Sequence, residues 1–222
     1  MRKELKAFYE KLLDLFFPPR CPFCRALLKK GESVICAKCD SVLPRTGPGG
    51  GEQKLPHIEK CFSPLYYEGV VRASLLRYKF GGMSVYSEKY SEFMSKCIDG
   101  KALSCDTITW VPISRARLRR RGYDQAMLLA MSLGRRLGLE CEGLLVKVKN
   151  NRAQSLSGSR ENRKANVSGV YRAAEGADVS GKNILLVDDI VTTGSTLGEC
   201  AKVLRKAGAA SVTALTLARS KP

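Results

Sequence analysis

Two adjacent carboxylates, Asp188 and Asp189, stand between an apolar run and a stretch of small hydroxyl residues. The order is Ile184-Leu185-Leu186-Val187, the acidic pair, Ile190-Val191, then Thr192-Thr193-Gly194-Ser195-Thr196. An unbroken apolar run suits a strand buried on both faces, as in a parallel sheet. Beyond the turn, Leu197, Cys200, Ala201 and Leu204 recur at helical spacing, and Gly208 offers a stop. At such a strand-to-helix junction the first helical N–H groups lack internal partners and attract phosphate. Gly194 lets the backbone come close, while Thr192, Thr193, Ser195 and Thr196 add hydroxyl donors without bulk. The acids would repel that phosphate; they suit ribose hydroxyls, or a divalent cation held near a pyrophosphate. The combination points to a phosphorylated sugar. Thr196, with Glu199 three residues on, also reads as a capping box, which does not compete with phosphate binding. Nucleotide hydrolases also end an apolar strand in acids, but no G-x-x-x-x-G-K-[ST] loop occurs in the chain.

A second chemistry lies near the N-terminus, where Cys21-Pro-Phe-Cys24 is followed by Cys36-Ala-Lys-Cys39. Two such knuckles give a closed tetrahedral four-thiolate site, the structural zinc arrangement, with no open position for catalysis. The metal would also hold together a segment too small to bury its own core. Two disulfides or a redox pair are the alternatives. His57, the only histidine, reads as a surface residue, and Cys61 is a weak substitute ligand. Cys61, Cys97, Cys105, Cys141 and Cys200 are dispersed, mostly in apolar-periodic segments, as suits free thiols in a reducing cytoplasm.

The third feature is basic. Arg115, Arg117, Arg119, Arg120 and Arg121 follow the strand Thr107-Ile108-Thr109-Trp110-Val111 and the turn Pro112-Ile113-Ser114. Unpaired guanidiniums are too costly to bury, so they face solvent or a polyanion. A diphosphate would occupy one or two; the excess suits a nucleic-acid backbone, with a merely solvated loop as the alternative. The whole chain shares the bias: 38 Lys and Arg against 21 Asp and Glu give a formal net charge of +17 over 222 residues. That balance favours polyanionic partners.

Residues 3 to about 17 have amphipathic helical spacing, ended by Pro18 and Pro19, and suit packing, a partner or a membrane surface. No apolar run is long enough for a membrane span, and no secretory leader is read at the N-terminus. The Pro- and Gly-rich stretch 44–57 reads as a flexible linker between a small unit (1–43) and a larger one (58–222). Within the larger one, strand signals at 61–67, 107–111, 184–187 and 211–217 alternate with helical ones, predicting a parallel sheet. A polar stretch, 150–166, has no periodicity and suits a lid or disorder, and Val167 to Tyr171 resembles a short strand.

The run from Ile184 to Thr196 resembles the 5-phosphoribosyl-1-diphosphate (PRPP) loop of type I phosphoribosyltransferases. The resemblance narrows to the ComF family through the four cysteines, Lys79-Phe80-Gly81, Val111-Pro112-Ile113 and Arg121-Gly122-Tyr123-Asp124-Gln125-Ala126. Ala153-Gln154-Ser155-Leu156-Ser157 with Arg163 and Asn166 carries it too. Asp124 stands where Asn is expected, and Lys147 or Lys149 where Arg is commoner.

What the resemblance implies is a doubly wound, mostly parallel type I phosphoribosyltransferase fold behind a small zinc ribbon. Asp188 and Asp189 would hold the ribose hydroxyls and Thr192–Thr196 the 5′-phosphate. Ser114, Arg115 and Arg121, with Arg152 to Arg163, would close on a diphosphate carrying Mg²⁺. Some members of the family assist passage of single-stranded DNA into the cytoplasm in natural transformation. The implied partners are PRPP, single-stranded DNA and DNA-uptake proteins, in the cytoplasm or at the inner membrane face. An active transferase acting on a nitrogenous acceptor is the other reading.

Overall fold

A computed structural model describes residues 18–149 and 169–221. The N-terminal amphipathic stretch, the polar stretch 150–166 and Val167 lie outside them. The chain divides into two compact units, Met1–Leu43 and Pro44–Pro222.

In the first unit, Cys21 N–H donates to Ala26 O (2.9 Å) and Arg25 N–H to Cys21 O (2.8 Å), closing the first knuckle. The second knuckle opens α1 (Ala37–Val42). Glu32 ties the intervening loop down, its two carboxylate oxygens accepting from Lys29 N and Ala37 N, each at 2.8 Å. Among the described residues of this unit, Phe23 and Leu43 are the large buried side chains besides the cysteines.

The second unit is built on a sheet whose strands are β1 (Gln53–Leu55), β2 (Ile58–Phe62), β3 (Leu65–Tyr66), β4 (Thr107–Trp110), β7 (Asn183–Val191) and β8 (Ser211–Arg219). The order is β1-β2-β8-β7-β4, with β3 continuing β2's place beside β8; all pairings are parallel except β1 with β2. The central strands β7 and β8 are the most buried, as their unbroken apolar runs require. Helices α2 (Gly69–Phe80), α3 (Tyr86–Ile98) and α5 (Gln125–Leu137) accompany them, with a short α4 (Arg115–Arg121) after β4 and α6 (Ser195–Lys206) between β7 and β8. Side chains of α6 (Leu197, Cys200, Ala201, Leu204) share one core with Ile184 and Leu186 of β7 and with Val212 and Ala214 of β8. That core also takes in Leu145 and Tyr171 from the antiparallel hairpin β5 (Leu145–Lys147) and β6 (Tyr171–Ala173).

The expected linker is instead part of this unit. Residues 53–55 form the antiparallel edge strand, Thr46 N–H donates to Pro64 O (3.0 Å), and Tyr66 N–H donates to Pro44 O (2.7 Å). Its glycines serve close approach rather than flexibility. A Cβ on Gly50 would stand 2.7 Å from Cys97 Sγ, and one on Gly51 2.5 Å from Ser63 O. The division between units therefore falls after Leu43, with no separate linker.

Candidate functional site

Strands β4 and β7 are parallel neighbours in register from Thr107↔Ile184 to Trp110↔Val187. Their carboxyl ends therefore open side by side. From β4 the chain leaves away from β7, since Cys141 forms a parallel bridge with Ile108; from β7 it returns through α6 to β8. Neighbouring strands whose connections diverge leave a crevice between their ends, where ligands settle in α/β sheets. One wall is the β4–α4 turn with its arginines, the other the β7–α6 turn with its hydroxyls.

The acidic pair sits inside β7 rather than beyond it, so the two carboxylates obey strand alternation and turn to opposite faces. Asp189 faces α2 and α4. It is 3% exposed, and its Oδ2 lies 2.9 Å from Lys79 Nζ in an ion pair out of hydrogen-bond alignment. Asp188 faces the α6 core, where its charge reaches Lys147, Tyr171 and Cys200. Burial pushes the Asp188 carboxyl well above the usual range, Asp189's charge adds to the rise, and Lys79 opposes it. The Asp189 N–H donates to Asp188 Oδ1 (2.8 Å).

At the β7–α6 turn Gly194 takes φ +75, and the helix begins at Ser195. A Cβ there would collide with Leu55 Cδ2 of β1, so only glycine fits both the torsion and the space. Thr193 Oγ1 and Ser195 Oγ lie 2.9 Å apart, and Ser195 N–H donates to Thr193 Oγ1 (3.4 Å). The expected capping box on Thr196 is not formed. Gly194 is the N-cap and has no side chain to cap the helix, and Glu199 Oε1 accepts from Gly169 N–H (2.8 Å) instead. Apart from the Ser195 N–H, which Thr193 Oγ1 accepts, the first turn of α6 thus keeps its N–H groups for something else.

The arginine run, read as a loop, coils as α4. Ser114 is its N-cap, accepting from Arg117 N (3.4 Å), and Arg119, Arg120 and Arg121 fall in the last turn, where cations suit the helix dipole. Arg115, Arg119 and Arg120 are exposed. Arg121 is brought to the crevice: Nη1 donates to Gln125 Oε1 (2.6 Å), and the guanidinium lies 4.7 Å from the Phe80 ring centroid. Burial lowers its pKa, and Asp189's charge opposes that shift. Asp124 anchors this wall. Its Oδ2 accepts from Ile113 N (3.0 Å), and its Oδ1 accepts from Ala126 N and Met127 N (3.0 and 3.2 Å). An Asn could accept through one oxygen alone, so Asp here does what Asn cannot.

Two residues not singled out for the site complete it. Lys79, at the end of α2, reaches Asp189; Lys147, on β5, donates to Tyr171 Oη (3.2 Å), and the charges of Arg117 and Asp188 both reach it. The only sequence signals were the Lys79-Phe80-Gly81 run and the Lys standing for Arg. Among the described residues, two buried side-chain atoms of the crevice have no hydrogen-bond partner: Asp189 Oδ2, an acceptor, and Arg121 Nε, a donor.

In the first unit the sulfurs of Cys21, Cys24, Cys36 and Cys39 all lie within 4.8 Å of one another, with Cys24 Sγ and Cys36 Sγ 3.5 Å apart. Tetrahedral zinc with bonds of about 2.3 Å needs sulfurs about 3.8 Å apart, so the donor set fits. Burial raises the Cys39 and Cys36 thiols. Burial also pushes Cys24 up, but the Ala26 N–H and neighbouring thiols outweigh it and bring that thiol to about 7. Four thiolates so close demand a cation. Cys61 lies in β2 and is no member of the set.

Comparison with known proteins agrees with this architecture. The phosphoribosyl transferase domain model matches residues 124–222, and the double zinc ribbon domain model matches residues 12–49. Competence protein ComFC of Bacillus subtilis is 31% identical over 216 residues, covering 90% of this chain and 84% of that protein. DNA utilization protein YhgH of Salmonella typhimurium is 35% identical over 210 residues, 90% of each. Competence protein F of Haemophilus influenzae is 26% identical over 226 residues, 92% of this chain and 99% of the other. Among solved structures, an adenine phosphoribosyltransferase from Thermoanaerobacter pseudethanolicus superposes with TM-score 0.38 at 20% identity, covering 73% and 81% of the two chains. The chain belongs to the ComF family, with a type I phosphoribosyltransferase fold behind a four-cysteine zinc ribbon.

Proposed function

We propose that this protein binds PRPP in the β4–β7 crevice and works in the handling of incoming single-stranded DNA, a role in keeping with the competence and DNA utilization in its relatives' names. One observation carries the reading: among the described residues a buried Asp189 oxygen, held only by the Lys79 ion pair, and a buried Arg121 donor both lack hydrogen-bond partners at one crevice. An unmet buried donor costs about 1–3 kcal/mol; a phosphate oxygen would meet the Arg121 Nε–H, and a ribose hydroxyl would give Asp189 Oδ2 a hydrogen bond beside its Lys79 ion pair. Asp188 and Asp189 hold the ribose from the two faces of β7. Thr192–Thr196 hold the 5′-phosphate against the uncapped start of α6, and Ser114, Arg115 and Arg121 take the diphosphate. When bound with PRPP, Mg²⁺ supplies charge neutralisation on that diphosphate. The exposed arginines beyond the diphosphate subsite engage the strand, in the cytoplasm near the membrane face where it emerges. None of the described helices is long and apolar enough to cross a membrane itself.

The second reading, transfer of ribose-5-phosphate to a nitrogenous acceptor, is favoured by the completeness of the acidic pair and loop. Calorimetry with PRPP and Mg²⁺ on the parent and on the Asp188→Ala, Asp189→Ala variant tests the pocket, and undiminished binding in the variant would sink it. Diphosphate release across a panel of bases then separates ligand from substrate. Oligonucleotide binding at several salt concentrations tests the DNA role, since each phosphate-binding guanidinium removed by Arg→Ala flattens the salt slope.

A further inference from the structure

Phe80 ends α2 and is 62% exposed. One exposed apolar side chain is ordinary, but this one is held in place. The Arg121 guanidinium lies 4.7 Å from its ring centroid and is itself fixed by Gln125 Oε1 at 2.6 Å. The guanidinium lies over one face of the ring, while most of the residue stays exposed. Its chain neighbour Lys79 is fixed too, with Nζ 2.9 Å from Asp189 Oδ2, so the ring stands at the lip of the crevice. The exposed arginines Arg119 and Arg120 share the last turn of α4 with Arg121. A flat, pre-oriented aromatic face beside solvent-facing cations matches what an unpaired nucleobase with its phosphate offers. The ring stacks on the base, and the guanidiniums meet the backbone.

We propose that Phe80, backed by Arg121, is a stacking platform for an unpaired nucleobase, and that the base belongs to a single strand running along α4. The proposal rests on the DNA reading above for its source of bases, but it adds a base-dependent contact that charge alone does not give. Stacking is nearly independent of salt, whereas phosphate contacts are not, so the two contributions separate in one experiment. Binding of the full-length, zinc-loaded protein is measured for a short homopolymer and for an abasic oligonucleotide of equal length, at several salt concentrations. The parent is expected to prefer the base-bearing strand by about tenfold. Phe80→Ala should erase most of that preference and keep the salt slope. Arg119→Ala with Arg120→Ala should flatten the slope and keep the preference. An unchanged preference in Phe80→Ala overturns the platform while leaving the DNA reading intact. If the parent binds no strand at all, the DNA reading itself fails.

The source of the base is settled with Phe80→Trp, read against the parent's own Trp110. Quenching by the oligonucleotide and not by free purine bases assigns the platform to the strand. Quenching by free bases alone keeps the platform but overturns its assignment to DNA, placing it on the acceptor side of the crevice. Quenching by neither overturns the platform.

Discussion

The cysteine knuckles and the crevice solve opposite problems. The knuckles draw four donors from residues 21–39, close them into one cluster, and leave only Cys24 exposed. The crevice draws its groups from α2, α4, β5, β7 and the turn before α6, and, among the described residues, leaves two buried atoms without hydrogen bonds. A closed donor set stores folding energy, because every ligand is satisfied by one ion. An open set keeps unmet demand, and unmet demand is what a ligand can answer. On the proposed reading, the difference separates a structural site from a binding site.

The largest effect therefore belongs to the knuckles. The described residues of the first unit bury few large apolar side chains, so its fold should depend on metal, whose binding in comparable four-ligand peptides is worth about 10–16 kcal/mol. Chelation, or Cys36→Ala, is expected to abolish amide protection across residues 18–43 while the strands of the second unit stay protected. Hydrogen exchange with mass readout measures both at once. Retained protection after complete metal removal, or well under one equivalent of zinc in the purified protein, would contradict the contrast.

Next in size is Asp189→Ala. A charged hydrogen bond contributes about 1.5–3 kcal/mol, so PRPP affinity should fall by about 10- to 150-fold. The variant also strands the Lys79 ammonium, whose side chain is 19% exposed, and should lose stability for that separate reason. Adding Lys79→Met should recover the stability and none of the affinity. Thermal melts and calorimetry on the two variants distinguish these losses; recovery of both would make the ion pair, rather than the ligand contact, the function of Asp189.

What was legible in the sequence follows the same contrast. The four cysteines and the run from Ile184 to Thr196 declare themselves because each is contiguous or nearly so, and its chemistry is set by spacing. Lys79 and Asp189 are separated in the chain by every element from α3 to β6, and nothing local announces a partner at that distance. The capping box at Thr196 satisfied every local rule and still lost. Gly194 could adopt a left-handed torsion one residue before the helix, and Glu199 found Gly169 instead. The stretch 44–57 failed for a compositional reason, since glycine marks both flexible chain and crowded turns. Only the neighbours, Cys97 Sγ and Ser63 O, tell the two apart. The opposite orientation of Asp188 and Asp189 was in principle available from the period of a strand. It required knowing that β7 runs on to Val191.

Gly194→Ala probes the wall between β1 and the β7–α6 turn. A left-handed torsion costs an L-residue about 1–2 kcal/mol, which for a chain of this size lowers Tm by about 2–8 °C. The methyl would also meet Leu55 Cδ2. Adding Leu55→Ala should return the steric part and leave the torsional part, with PRPP affinity still reduced because the turn is distorted. Full restoration of Tm by Leu55→Ala would mean that space alone, and not backbone torsion, requires glycine there.

The smallest effect concerns pH and the two faces of β7. Burial holds the Asp188 carboxyl well above its ordinary range, so the folded protein binds a proton there that the unfolded chain releases near pH 4. Where the folded state holds more protons than the unfolded one, stability falls as pH rises. The contribution of Asp188 is therefore intact below the unfolded pKa and is lost progressively up to the raised folded value. Asp188→Asn removes the titration. It should melt higher than the parent at neutral pH, match it near pH 4, and bind PRPP more weakly because one ribose acceptor has become an amide. Asp189→Asn supplies the control from the other face, where the ion pair with Lys79 is lost and neutral-pH stability should drop. If both variants shift Tm in the same direction at neutral pH, the two carboxylates share one environment. The assignment of one acid to each face of the strand would then be wrong.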